Sequence, residues 1–154
     1  GYKYNLSDVH SAIGLVQLQK LEKNLRAREK YAKLYDKVLG DIEGVSFQDK
    51  FDQRHIRHAL HLYLIILDPE KFKIGRDEIV MKLRDEGIFA VVHYKPLHLH
   101  KFHREKFGYK EGDFSVAEKI GANIITLPLL PSAGPAIAKR VAETTKKVLL
   151  KYKR

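Results

Sequence analysis

The 154-residue sequence has no cysteine and a single methionine. Without thiols there is no disulfide framework and no thiolate metal site, although that alone does not fix a compartment. Long apolar runs are missing as well. None approaches the ~20 residues of a membrane span, and no signal-peptide pattern opens the chain. A cytoplasmic protein with no membrane partner is the expectation. Internal repeats and low-complexity tracts are also absent. The first residue is glycine rather than methionine, so chemistry encoded upstream has to be reckoned with.

Hydrophobic residues make up 44% and charged residues 31% of the chain, an ordinary balance for one globular domain able to close a core. The net charge of +10 raises the question of nucleic acid or phosphorylated ligands. The cations are dispersed, however. Lys20, Lys23, Arg26, Arg28, Lys30 and Lys33 alternate with Glu22 and Glu29, and Lys146, Lys147, Lys151, Lys153 and Arg154 populate the tail. Such spacing marks solvated helix faces. No recognition-helix, aromatic RNA-binding or zinc-finger pattern accompanies it, so nucleic acid is not the expected partner.

Ser7 is placed to cap a helix that runs to about Leu39, with Asp8 in its first turn and Gly40 as its stop. Leu18, Leu21 and Leu25, then Tyr31, Leu34, Tyr35 and Val38, recur at helical spacing. A connection over residues 41–57 holds a short strand near Val45 to Phe47. His58 to Leu67 reads as a strand apolar on both faces. A second helix begins near Asp77 and ends at Gly87, and Phe89 to His93 reads as another strand, broken by Pro96. Short helices are predicted over 98–107 and 114–121, a turn over 108–112, and a strand at Ile124 to Leu127. Gly134 and Pro135 fit the N-cap and N1 positions of a last helix reaching Tyr152. The sum is an α+β fold: a three- to four-stranded sheet with helices, preceded by one long helix. Residues 1–40 form an opening loop and linking helix, and residues 41–154 a small α+β domain.

Seven of the eight histidines lie between residues 55 and 103. A metal site from His58, His61, His93, His98 and His100 has poor geometry, because strand residues three apart face opposite ways and no local carboxylate completes the set. His55, His58 and His103 read as surface or half-buried residues.

Three strings are more specific. Gly1-Tyr2-Lys3-Tyr4-Asn5-Leu6-Ser7-Asp8 leads into Ala12-Ile13-Gly14-Leu15. Gly87-Ile88 precedes Val92-His93-Tyr94-Lys95-Pro96-Leu97-His98. Ala117-Glu118 precedes Leu127-Pro128-Leu129 and Pro131. In this order they resemble the C-terminal portion of the DegT/DnrJ/StrS family of sugar aminotransferases, enzymes of the aspartate-aminotransferase fold (fold type I) that use pyridoxal 5'-phosphate (PLP). The opening is particularly similar to that of members aminating 4-keto nucleotide sugars.

The resemblance implies transfer of an amino group from an amino acid, typically glutamate, to a keto nucleotide sugar by a homodimer. It also implies a large domain, absent from this chain, carrying the lysine that binds PLP covalently; without it the chain alone should be inactive. In the family's opening loop an asparagine reaches the cofactor phosphate of the neighbouring subunit. Here Lys3 stands at the usual asparagine place and Asn5 at the usual arginine place, so either is a candidate for that contact, and capping of the long helix is the competing role. His93, Tyr94 and Lys95 are the implied substrate-binding residues, His93 and Tyr94 near the sugar or the co-substrate carboxylate and Lys95 near a diphosphate. A strand-end histidine satisfied by backbone is the alternative for His93. His61 and Tyr63 are expected to pack against the absent domain. A non-catalytic regulatory relative, or a basic nucleic-acid-binding module, is the alternative for the whole chain.

Overall fold

The computed structural model describes residues 2–48 and 56–154; Gly1 and His55 lie outside the described residues. Helix α1 spans Asp8–Leu39, and Ser7 caps it in an extended conformation with its hydroxyl accepting from the amide of His10. Its two ends behave differently. Tyr31, Ala32, Tyr35 and Leu39 are buried, whereas Val9, Ile13, Leu15, Leu18 and Leu21 are exposed. The helix ends at Gly40 without a left-handed residue: Gly40 sits at φ −62°. Its use is close approach, since a Cβ there would stand 2.6 Å from the carbonyl oxygen of Asp36.

Strands β1 (Val45–Phe47), β2 (Tyr63–Leu67) and β3 (Ile124–Leu127) form an antiparallel sheet in the order β1-β2-β3. The other helices are α2 (Arg76–Asp85), α3 (Lys101–Phe107), α4 (Ser115–Asn123) and α5 (Gly134–Lys151). Gly87, at φ +78°, ends α2 in the left-handed region that glycine tolerates. Gly134 lies at φ +82°, outside helical values, so Pro135 opens the helical backbone of α5. The core joins Tyr35 and Leu39 of α1, Tyr63, Ile65 and Leu67 of β2, Ile79 and Leu83 of α2, Ile125 and Leu127 of β3, and Val141, Ala142 and Leu149 of α5. Fold class and the three-stranded sheet agree with the sequence reading.

Two predicted strands shrink. The extended run expected from His58 is a strand only from Tyr63. Leu60 takes φ +48° and its amide donates to Nδ1 of its neighbour His58 at 3.0 Å, a local bond in place of a ladder. Pairing also stops there because Tyr63 faces Leu127, and the next residue, Pro128, has no N–H to offer. Residues 89–93 are reduced to one isolated bridge between Val91 and Thr126. The amide of Ala90 bonds the carbonyl of Ile88 at 2.8 Å, and its carbonyl accepts from Nε of Arg84 at 3.1 Å. Both groups are therefore spent off the sheet.

Tyr63 also corrects an expectation. It is buried within this chain, edge-on to Tyr35 at 4.9 Å between ring centroids, and its hydroxyl donates to Asp36 Oδ1 at 2.8 Å. His61 is exposed. No helix among the described residues is long and apolar enough to cross a membrane.

Candidate functional site

Beyond β3 the chain runs antiparallel to it for one bridge, and this places His93 at the sheet edge. Nδ1 of His93 lies 2.9 Å from Oγ1 of Thr126, whose backbone holds Val91 through bonds of 2.8 and 3.1 Å. His93 is half-buried; Tyr94 and Lys95 are exposed. The rings of His93 and Tyr94 meet edge to face at 4.6 Å between centroids.

Packing behind this segment fixes where it turns. Gly121 of α4 is buried against Pro96; a Cβ at Gly121 would lie 2.6 Å from Cδ of Pro96. Arg76, its side chain 13% exposed, donates from one guanidinium nitrogen to the carbonyls of Gly121 and Ile124 at 3.1 and 2.9 Å. These ties join the start of α2 to the junction of α4 and β3. Next to them lies a concavity of about 300 Å³ walled by Arg76, Lys95, Pro96, Glu111 and Glu118.

His98 is buried rather than available to a ligand. Its Nε2 meets Oε1 of Glu118 at 2.8 Å, and Glu118 also accepts from the amides of Gly112 and Phe114. The Gly112 amide above all, and then His98, hold the Glu118 carboxyl below its ordinary value. The pair braces the loop that follows α3. The sequence reading names His98 and Glu118 but does not pair them, and it omits Thr126 and Arg76, although a threonine inside Ile124-Ile125-Thr126-Leu127 is a readable signal for a hydroxyl with a partner. Among the described residues no three histidines, aspartates or glutamates gather as a metal-ligand set.

Lys3 and Asn5 lie in the irregular segment before α1. Both are exposed, with neither side chain hydrogen-bonded among the described residues. Ser7 alone provides the helix cap. His93, Tyr94 and Lys95 thus stand together at the sheet edge, and Lys3 and Asn5 lie in the exposed segment before α1.

Residues 1–146 match the sequence profile of the DegT/DnrJ/EryC1/StrS aminotransferase family. The chain belongs to that family. It is 37% identical over 149 residues to the uncharacterized protein MJ1066 of Methanocaldococcus jannaschii, covering 97% of this chain and 38% of that protein. It is 35% identical over 150 residues to the spore coat polysaccharide biosynthesis protein SpsC of Bacillus subtilis, with the same coverages of 97% and 38%. Among solved structures, Spr1654 of Streptococcus pneumoniae in its PLP form superposes with a TM-score of 0.87 at 27% identity, covering 98% of this chain and 38% of that one. The chain therefore spans under two fifths of the length of each of these proteins, and its α+β arrangement is that of the matched part of Spr1654.

Proposed function

We propose that this chain is the C-terminal portion of a PLP-dependent aminotransferase that moves an amino group from an amino acid, glutamate, to a keto nucleotide sugar in the cytoplasm. Residues 1–40 are then the opening loop and linking helix, residues 41–154 the small domain. The large domain and the lysine that holds PLP lie outside the chain, which alone is inactive. Family membership, the polysaccharide role in SpsC's name and the PLP form of Spr1654 support this reading.

The residues present fit one end of PLP. A phosphate takes a cation and amide donors, and Lys3 and Asn5 supply those types, exposed and without a side-chain partner among the described residues. PLP, when bound, supplies an electron sink for the carbon that carries the nitrogen. Lys3 with a point charge, or Asn5 with an amide N–H, would hold the phosphate bound by a second subunit, which would make the working unit a homodimer.

The observation that carries the substrate assignment is the state of three consecutive side chains: His93 fixed at its Nδ1 by Thr126, with Tyr94 and Lys95 exposed beside it. His93 offers its second ring nitrogen to a sugar or carboxylate oxygen. Tyr94 adds a hydroxyl and a ring face, and Lys95 balances diphosphate charge. The test is His93→Gln in the full-length enzyme. It should melt within a few degrees of wild type, while kcat/KM for the keto sugar falls roughly ten- to a thousand-fold. Retained activity with a collapsed melting temperature would make His93 a structural residue.

A further inference from the structure

Strand β3 carries one polar side chain in an apolar run, and Thr126 is only 4% exposed. A buried hydroxyl is costly unless hydrogen-bonded. Its side-chain partner among the described residues is Nδ1 of His93, at 2.9 Å. Because the Thr126 backbone also bonds both polar groups of Val91, one residue grips the 91–93 segment at two points on one face. The other ring nitrogen of His93, Nε2, has no partner among the described residues and is not among the buried polar atoms left without one. It therefore reaches solvent.

Hydrogen-bond balance decides which nitrogen carries the proton. A hydroxyl has one hydrogen to give and two lone pairs to receive. If Nδ1 were protonated and donated to Oγ1, the hydroxyl hydrogen would be buried with no acceptor. If the hydroxyl donates to Nδ1, only lone pairs go unmet, and unmet acceptors are the better tolerated deficit. The edge-to-face ring of Tyr94 further limits rotation of the imidazole.

We propose that Thr126 is a positioning residue for His93: its O–H donates to Nδ1, the neutral imidazole carries its proton on Nε2, and this N–H is presented to an oxygen of the substrate. The last clause rests on the substrate role given to His93 above; the tautomer does not. A histidine so held is a directed hydrogen-bond donor, and the group it recognises is a carbonyl, hydroxyl or anionic oxygen.

The experiment uses the full-length holoenzyme labelled with ring-¹⁵N histidine, with His93 signals identified by their loss in His93→Gln. In wild type, Nε2 should be the protonated nitrogen and Nδ1 the unprotonated one. Thr126→Ser should keep that pattern, and Thr126→Val, similar in shape, should mix the tautomers. A wild-type Nδ1–H overturns the proposal. In kinetics, Thr126→Val should lower kcat/KM about ten-fold or more, Thr126→Ser should stay within a few-fold, and Thr126→Val should add no loss to His93→Gln. Losses that multiply in the double variant overturn the positioning role. Should His93→Gln keep full activity while the tautomer behaves as stated, the orientation by Thr126 stands and the substrate role of His93 falls.

Discussion

The Tyr35 hydroxyl donates to the carbonyl oxygen of Pro128 at 2.6 Å, joining residues 93 positions apart. It ties the buried end of α1 to the point where the chain leaves β3, one residue beyond Leu127. The bond is part-buried, so no bulk water replaces it freely. Tyr35→Phe removes the donor and leaves that carbonyl unmet. We expect a loss of about 1–3 kcal/mol, read as a lower melting temperature by roughly 2–4 °C per kcal/mol. An unchanged melting temperature would show that the contact is dispensable.

Tyr35 and Tyr63 give the fold an alkaline limit. Burial is the first cause that raises both phenols above the ordinary value of 10.0, joined for Tyr63 by its bond to Asp36. A phenol raised in the folded state favours the neutral form, so the contribution is complete below pH 10 and is lost as pH rises past it. Denaturant midpoints should fall above pH 10. In an ultraviolet titration two tyrosines should ionise only together with loss of the near-ultraviolet circular dichroism. Their free titration in a folded protein would refute the assignment.

Gly121→Ala drives a methyl group into Pro96, and both partners are held: Pro96 by its ring, Gly121 by the bond from Arg76 to its carbonyl. Overpacking of this kind costs about 1–3 kcal/mol. Because Pro96 follows Lys95 directly, the full-length variant should also bind the nucleotide sugar more weakly. Calorimetry of binding together with thermal melts checks both; a neutral outcome in both would mean the segment shifts without consequence.

Lys3→Ala and Asn5→Ala in the full-length enzyme are each expected to weaken cofactor retention by about 1–3 kcal/mol, the scale of a lost hydrogen bond to a charged group. Dialysis followed by absorbance of the retained cofactor measures it. Equal retention in both variants leaves the opening segment with no role at the phosphate.

The sequence spoke most clearly where one local rule decided the outcome. Ser7 before a run of leucines marks a capped helix, and Gly87 and Pro135 bracket helices by backbone chemistry that needs no partner. Extended segments were harder, because a strand exists only if another pairs with it. The apolar stretch from His58 is rich enough for a long strand, yet β3 ends at Leu127, before Pro128, and leaves it unpaired ahead of Tyr63. Residues 89–93 are apolar enough for a strand, but Ala90 spends its groups on Ile88 and Arg84. Periodicity also could not say which part of α1 meets the core: Leu18 and Leu21 share the spacing of Tyr31 and Tyr35 and remain exposed. At the candidate site, His93 was visible through its neighbours in sequence. Thr126 was not, since its meaning comes from a contact made 33 positions away.

Helix α1 is held in two stages: from Tyr31 onward it is embedded, and further back Ala27 packs against the core while Arg57 pairs with both Glu22 and Glu29. Ahead of Glu22 the helix reaches about 20 Å at ~1.5 Å per residue. The direction in which it carries its first residues is therefore set by these two anchorages. Substitutions beneath α1, far from any ligand, should misdirect Lys3 and Asn5 without touching either.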